Sequence, residues 1–487
     1  MLKRIIYFGL LFLLCFPLIQ LSTDFIQERP LLGQSLKVEK PKFSWEGWLS
    51  SEFQTDFGKY IDQNMGLRGF FIRTYNQLQY SFFNATNAEK VVIGKEGILF
   101  EDSYITSYLG QNLRDSALIH QKLKRASFLA KELEKVGKHL IIVIAPDKAS
   151  YYPEKIPDRY VAAEAERSFS SNYKQYQKAL QKYDLHHIDF NQIFIAGKDT
   201  AKVPMFPKSG IHWSNYYSVM AMDSLRRYFK KQFEIDLPQP YVEQAEITER
   251  QPANPDYDLG DLLNILSEEY GKTIQGEVKF KNKEKKKGSV LTIGDSFYWN
   301  LYYQGMMDNL FESAEFWYYN HLIYPQSFDK EITTDKINIR KKLQEVDLVM
   351  ILITSGAMDN FGFGFIDQSY QALQIKEDVQ NAVLQHLIQK MKNDQNWLSD
   401  IDKKAKEKGV TTDEMLSLDA NYLLLNLSDE ELKSIRIEIF ELRITSTPEW
   451  LENVKQKAAE KNISLQEAIR QDAIFCIETQ DQDPILK

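Results

Sequence analysis

At 487 residues the chain is too long for one average domain, and two or three folded units are expected. A composition of 43% hydrophobic and 26% charged residues excludes a disordered or fibrous chain. The net charge of −8 leaves no basic footprint for nucleic acid, and two cysteines, Cys15 and Cys476, are too few to hold the fold by disulfides.

Lys3 and Arg4 precede an apolar run from Ile5 to Leu21, broken only by Gly9, Pro17 and Gln20. A basic start and a stretch of near-spanning length read as a signal sequence. No small-x-small cleavage site follows. The expectation is therefore an uncleaved signal anchor over residues 1–22, a single pass with its basic end in the cytoplasm and the rest outside. A cleaved signal peptide is the alternative.

Residues 23–85 read as a tether and helical lead-in. Glu28 to Pro41 is polar. Phe53, Phe57, Tyr60, Ile61 and Met65 then recur at helical spacing, and Leu67 to Phe83 continues as a second helix. Val91–Gly94 and Gly97–Phe100 flank Lys95-Glu96 as a hairpin.

From there helix and strand alternate. Helices are predicted over Asp115–Gly137, Ser168–Tyr183, Tyr216–Phe233 and Asn300–Leu310. The strands are His139–Ala145, His186–Phe190, Ser289–Ile293, Phe316–Tyr319 and Val346–Thr354. Continuous apolar strands between helices predict an α/β fold, a parallel sheet covered on both faces, with ligands beyond the carboxyl ends of the strands. Gln239 to Lys287 is polar and reads as a solvated excursion, its lysine-rich end included.

Residues 376–487 turn helical and charged and hold a two-fold internal repeat, about 396–422 and 449–475. Trp397-Leu398, Lys404-Ala405 and Asp419-Ala420 recur 53 residues later as Trp450-Leu451, Lys457-Ala458 and Asp472-Ala473. Each copy is a helical hairpin with a Thr or Ser cap at its turn, read as a packing or interaction module.

The chemistry concentrates in two short motifs. Gly294-Asp295-Ser296-Phe297 ends an apolar strand, where a tight turn lifts the Ser296 hydroxyl and aims backbone N–H groups at an oxyanion. A serine nucleophile needs a base, and His212 in Gly210-Ile211-His212-Trp213, one of only seven histidines, is the candidate. Lys148 offers a charge for an anionic polymer, Trp213 a wall or sugar platform, and Asn320 an amide for an oxyanion. No Cys/His cluster has metal-ligand spacing, so neither metal nor cofactor is expected.

These motifs resemble the SGNH-hydrolase-like proteins of alginate and exopolysaccharide O-acetylation, which carry Asp-x-His-Trp followed by Gly-Asp-Ser-Phe. Gly66-Leu67-Arg68, Val91–Phe100, Ala145-Pro146-Asp147-Lys148 and Tyr152-Pro153 extend the resemblance over roughly residues 45–365. It implies an SGNH-like domain over 86–375 that transfers acetyl to polysaccharide hydroxyls through an acyl-Ser296 intermediate. It also implies a membrane-bound O-acyltransferase as acetyl donor and an inner-membrane protein facing the periplasm. One departure stands out: the motif's aspartate is Gly210 here. Asp147, Asp295, Asp359 or a carbonyl of Ser209 or Gly210 can replace it, or the pair works as a dyad. Alternatively the protein is a non-catalytic polysaccharide-binding subunit, or an esterase.

Overall fold

The structure, a computed structural model, describes residues 2–33, 38–162, 170–267, 269–374 and 377–480. Part of the tether, the expected helix start at Ser168 and the expected boundary at 375–376 lie outside these residues. Among the described residues four helices lead in: α1 (Leu2–Thr23), α2 (Trp45–Leu49), α3 (Glu52–Asn64) and α4 (Arg68–Phe83). Helix α1 is long and apolar enough to cross a membrane, with a mean hydropathy of 2.2 over Lys3–Thr23.

Among the described residues ten strands follow: β1 (Val91–Ile93), β2 (Leu99–Glu101), β3 (His139–Ala145), β4 (His187–Asp189), β5 (Gln239–Thr248), β6 (Thr273–Lys281), β7 (Ser289–Gly294), β8 (Ser313–Tyr318), β9 (Leu322–Tyr324) and β10 (Leu348–Thr354). Six form the central sheet in the order β4-β3-β10-β7-β8-β9, parallel except for the edge strand β9. Its central strands are apolar throughout because both faces are covered. Ile141, Val143, Met350 and Leu352 enter the core on one side, while Leu140, Ile142, Val349 and Ile351 enter the core on the other. The fold is thus an SGNH-like α/β domain with flanking helices and a helical C-terminal region.

Two differences from the sequence reading have local causes. The expected helix Asn300–Leu310 is two short helices, Tyr298–Tyr303 and Met306–Leu310, because Gly305 adopts φ 60 between them. The excursion after Gln239 holds an antiparallel hairpin, β5 with β6, bulged between Glu243 and Glu246. Its β-branched residues are interleaved with charges, which hid the alternation. The lysines at 283, 286 and 287 are exposed, as a solvated face requires.

Helices Gln395–Lys408 and Thr412–Asn426 correspond to Pro448–Lys461 and Leu465–Gln480. Thr411 caps the second helix of the first copy, and Ser464 accepts from Glu467 N–H at the matching place. The ion pair Lys404–Asp419 at 2.7 Å recurs as Lys457–Asp472 at 2.8 Å.

Candidate active site

Strand β7 delivers Ser296 to the carboxyl end of the sheet. Past Gly294 the chain turns sharply into the helix Tyr298–Tyr303, leaving the Ser296 hydroxyl half-buried at the corner. Asp295 builds that corner. Its carboxylate accepts from Phe297 N–H at 3.0 Å and from Thr354 N–H and Oγ1 at 2.7 Å, tying β7 to its neighbour β10. Burial raises its pKa and those hydrogen bonds oppose the rise.

His212 arrives from the loop between β4 and β5. Its Nε2 lies 3.0 Å from Ser296 Oγ, and its Nδ1 lies 2.6 Å from Asp258 Oδ2. A carboxylate can only accept, so the Nδ1 proton is held by Asp258 and the Nε2 lone pair faces the serine. The other oxygen of Asp258 accepts N–H groups from Ile211 and Leu259, each at 2.8 Å, which fixes the carboxylate's orientation. The arrangement is a serine, a base and an orienting acid in one hydrogen-bonded line.

Asp258 is the residue that sequence reasoning missed. It lies 46 positions after His212, on the connection between β5 and β6. The signal available was the cluster Asp256-Tyr257-Asp258 just ahead of the nucleophile strand. The acids proposed in its place are engaged elsewhere. Asp147 takes hydrogen bonds from Ser150 and Ser355, Asp295 holds the serine turn, and Asp359 lies 3.7 Å from Arg114. The Gly210 carbonyl accepts from Lys148 and the Ser209 carbonyl from Gly260 N–H. Nor does Gly210 leave room for the usual aspartate. A Cβ there would lie 2.7 Å from the Asp256 carbonyl oxygen and 2.8 Å from Pro207 Cγ.

Three further expectations are corrected. Lys148 is 1% exposed, and its ammonium donates to the carbonyls of Pro207, Lys208 and Gly210 at 2.7–2.8 Å. With every proton engaged it clamps the base loop and offers no charge to a polymer. Burial pulls its pKa down to about 7, and the Asp258 charge acts in the opposite direction. Trp213 is buried at 1% exposure and donates through Nε1 to the Phe297 carbonyl at 3.2 Å, joining the base loop to the serine turn rather than facing a sugar. Asn320 spends its amide N–H groups on the Phe363 carbonyl and Gln368 Oε1, at 3.2 and 3.0 Å, so it has none for an oxyanion.

Its neighbour Tyr319 does reach the nucleophile. It follows β8 in a left-handed conformation, φ 50, with its N–H on the Gly294 carbonyl at 2.8 Å. That backbone turn brings the phenol oxygen beside both Oγ and the backbone N–H of Ser296. Burial, then the nearby Asp295 and Tyr318, raise the phenol's pKa, so it stays protonated at neutral pH.

A serine at a strand-turn-helix corner, relayed through histidine to aspartate over a parallel sheet, is the arrangement of a serine acyl-transfer site. Residues 91–291 match the family described as SGNH hydrolase-like domain, acetyltransferase AlgX. That segment is similar to the family over about two fifths of the chain. The matched segment includes His212 and Asp258 and stops just short of Ser296. Among solved structures, the O-acetyltransferase domain of Pseudomonas putida AlgJ is similar at 15% identity and a TM-score of 0.37, over 58% of this chain and 99% of that one. Bacillus cereus PatB1 with a sulfonyl adduct is similar at 11% identity and a TM-score of 0.36, over 52% and 94%. Pseudomonas aeruginosa AlgX is similar at 12% and 0.36, over 61% and 69%. No curated protein matches the chain.

Proposed function

We propose that this protein is an extracytoplasmic O-acetyltransferase that moves an acetyl group to polysaccharide hydroxyls through acyl-Ser296. The observation that carries the reading is the line Ser296–His212–Asp258 at 3.0 and 2.6 Å. His212 Nε2 takes the Ser296 proton as Oγ attacks the acetyl carbonyl. The Ser296 N–H and the Tyr319 hydroxyl hold the oxyanion that forms. Collapse expels the donor's leaving group, which takes the proton back from His212. A sugar hydroxyl then gives its proton to Nε2 and attacks the acyl carbonyl, and collapse releases Ser296, whose Oγ takes that proton back from His212.

The reason to suspect a non-catalytic binding subunit was a missing orienter. Asp258 at 2.6 Å removes that reason. A membrane-bound O-acyltransferase is the proposed source of acetyl, with α1 anchoring the chain beside it in the inner membrane and the domain in the periplasm. The helical region from 376 is proposed as a separate module outside the chemistry.

The test is intact-mass analysis of the purified chain after exposure to an activated acetyl ester, then to acetyl-free polymer. The wild type is expected to gain one acetyl on Ser296 and to pass it to the polymer, while Ser296→Ala gains none. A wild type that binds polymer but never carries acetyl on Ser296 would overturn the reading. One that passes acetyl only to water would be an esterase.

A further inference from the structure

Helix α4 is inside out compared with an ordinary surface helix. Its polar side chains face the body of the protein. Asn76 Nδ2 donates to the Leu263 carbonyl at 2.9 Å, and Gln77 Oε1 accepts from the N–H groups of Leu266 and Ser267 at 3.1 and 2.8 Å. Arg73, 8% exposed, donates to the Pro30 carbonyl at 2.8 Å. The outward face carries Phe71, Tyr75, Leu78 and Phe82, spaced four, three and four residues apart and therefore in one stripe. They are 45, 54, 47 and 76% exposed. A continuous apolar stripe of this kind calls for a partner other than water.

The neighbouring chain indicates which partner. The turn that begins α4 is pressed against the last turns of the apolar helix α1. A Cβ on Gly66 would lie 2.4 Å from the Pro17 carbonyl oxygen and 2.6 Å from Gln20 Cβ. Glu28 pins the same corner, accepting from the N–H of Leu67 at 2.7 Å and of Phe70 at 3.2 Å. Whatever surrounds α1 is therefore within reach of the aromatic face of α4. Aromatic side chains on one face of a helix, with polar groups on the other, suit the boundary between lipid headgroups and acyl chains.

We propose that the Phe71–Tyr75–Leu78–Phe82 face of α4 lies in the interfacial layer of the lipid bilayer that α1 enters. This rests on α1 being a membrane anchor. It holds the body of the protein at a set height and tilt on the membrane surface, where a lone flexible tether would leave both free.

Site-specific quenching by nitroxide lipids tests the idea on the full chain. Cys15→Ser and Cys476→Ser remove the two natural thiols. Single cysteines are then placed at Tyr75, Leu78, Leu10 or Lys403, all exposed, so no buried group is disturbed. Each is labelled with a small fluorophore and the protein is reconstituted in phosphatidylethanolamine–phosphatidylglycerol bilayers. Labels at Tyr75 and Leu78 are expected to be quenched by headgroup-proximal nitroxides several-fold more than the label at Lys403. Quenching no greater than at Lys403 overturns the proposal, and a response only to added polysaccharide or partner protein overturns it too. The label at Leu10 reports separately on the anchor. If deep nitroxides quench it while the α4 labels stay dark to lipid, the anchor stands and the proposal alone falls. If Leu10 is not quenched but Tyr75 and Leu78 are, the anchor reading fails, and the proposal that α4 lies in the bilayer entered by α1 is overturned with it.

Discussion

Replacing Asp258 with asparagine tests the relay at its most informative point. The substitution conserves shape, and the amide oxygen can keep the N–H groups of Ile211 and Leu259 that now lie 2.8 Å from the carboxylate. The amide NH2 then occupies the place of Oδ2, 2.6 Å from His212 Nδ1. Two donors cannot share that contact, so the imidazole moves its proton to Nε2, the nitrogen that must accept from Ser296. In a serine protease the corresponding change lowers kcat by about 10⁴-fold, and a loss of that order is expected here. At ~1.36 kcal/mol per decade this is about 5.5 kcal/mol of transition-state stabilisation. The assay is single-turnover acylation of Ser296 by an activated acetyl ester, with circular dichroism and thermal unfolding to show that the fold is kept. Asp258→Ala is the poorer probe, because it also strips two N–H groups of their acceptor at about 1–3 kcal/mol each. A loss below about tenfold in Asp258→Asn, with the fold intact, would refute the orienting role.

Tyr319→Phe removes a hydroxyl from the oxyanion site without disturbing the ring's contacts with Tyr318 and Phe363. Acylation is expected to slow by about 10²-fold with the unfolding midpoint unchanged, and an unchanged rate would leave Ser296 N–H without this partner. Gly210→Asp drives a Cβ against the Asp256 carbonyl oxygen. It is expected to destabilise by about 1–3 kcal/mol in denaturant titration and to lower activity, and a gain in rate would contradict the packing. Burial pushes Asp256 up to about 8, whereas in the unfolded chain an aspartate ionises at about 3.9. The folded state therefore holds an extra proton between those values, and this group's contribution to stability falls as pH rises through the window. Asp256→Asn should flatten that decline, so its stability relative to wild type should be greater at pH 9 than at pH 4. Equal differences at both pH values would show that Asp256 does not titrate there.

The central strands were legible because they are buried on both faces and form unbroken apolar runs ending in turn residues. Ser296 and His212 were legible as neighbours because each sits just beyond an identifiable motif, and the fold brings such strand ends and loops to one edge. The acid was not legible. Its contact depends on a turn between β5 and β6, strands whose alternation is obscured by glutamates and lysines, and no local rule says how far that turn folds back. Lys148 was misread for a related reason. A lysine after Pro146-Asp147 reads as a surface charge until the loop 207–210 closes over it and turns three carbonyls inward. The outward stripe of α4 was visible as helical periodicity, and that pattern alone does not tell a core-facing stripe from an exposed one.

Moving the relay acid from the position of Gly210 to Asp258 changes what holds the base in place. With the acid two residues before the histidine, one loop carries both, and its internal geometry sets their distance. Here two separate segments must dock, and the docking contacts are the ones found. Gly260 N–H donates to the Ser209 carbonyl at 2.8 Å, Ile211 N–H to Asp258, and Asn215 N–H to Asp256 at 2.9 Å. The carbonyls of Pro207, Lys208 and Gly210 are left pointing into the protein, where unpaired they would be costly. Lys148 satisfies all three at once. The Asp258 charge lies near enough to favour the protonated ammonium that makes those three hydrogen bonds. The glycine at 210, the buried lysine at 148 and the distant acid at 258 are thus one structural solution. Restoring the aspartate without removing the docked turn would break it.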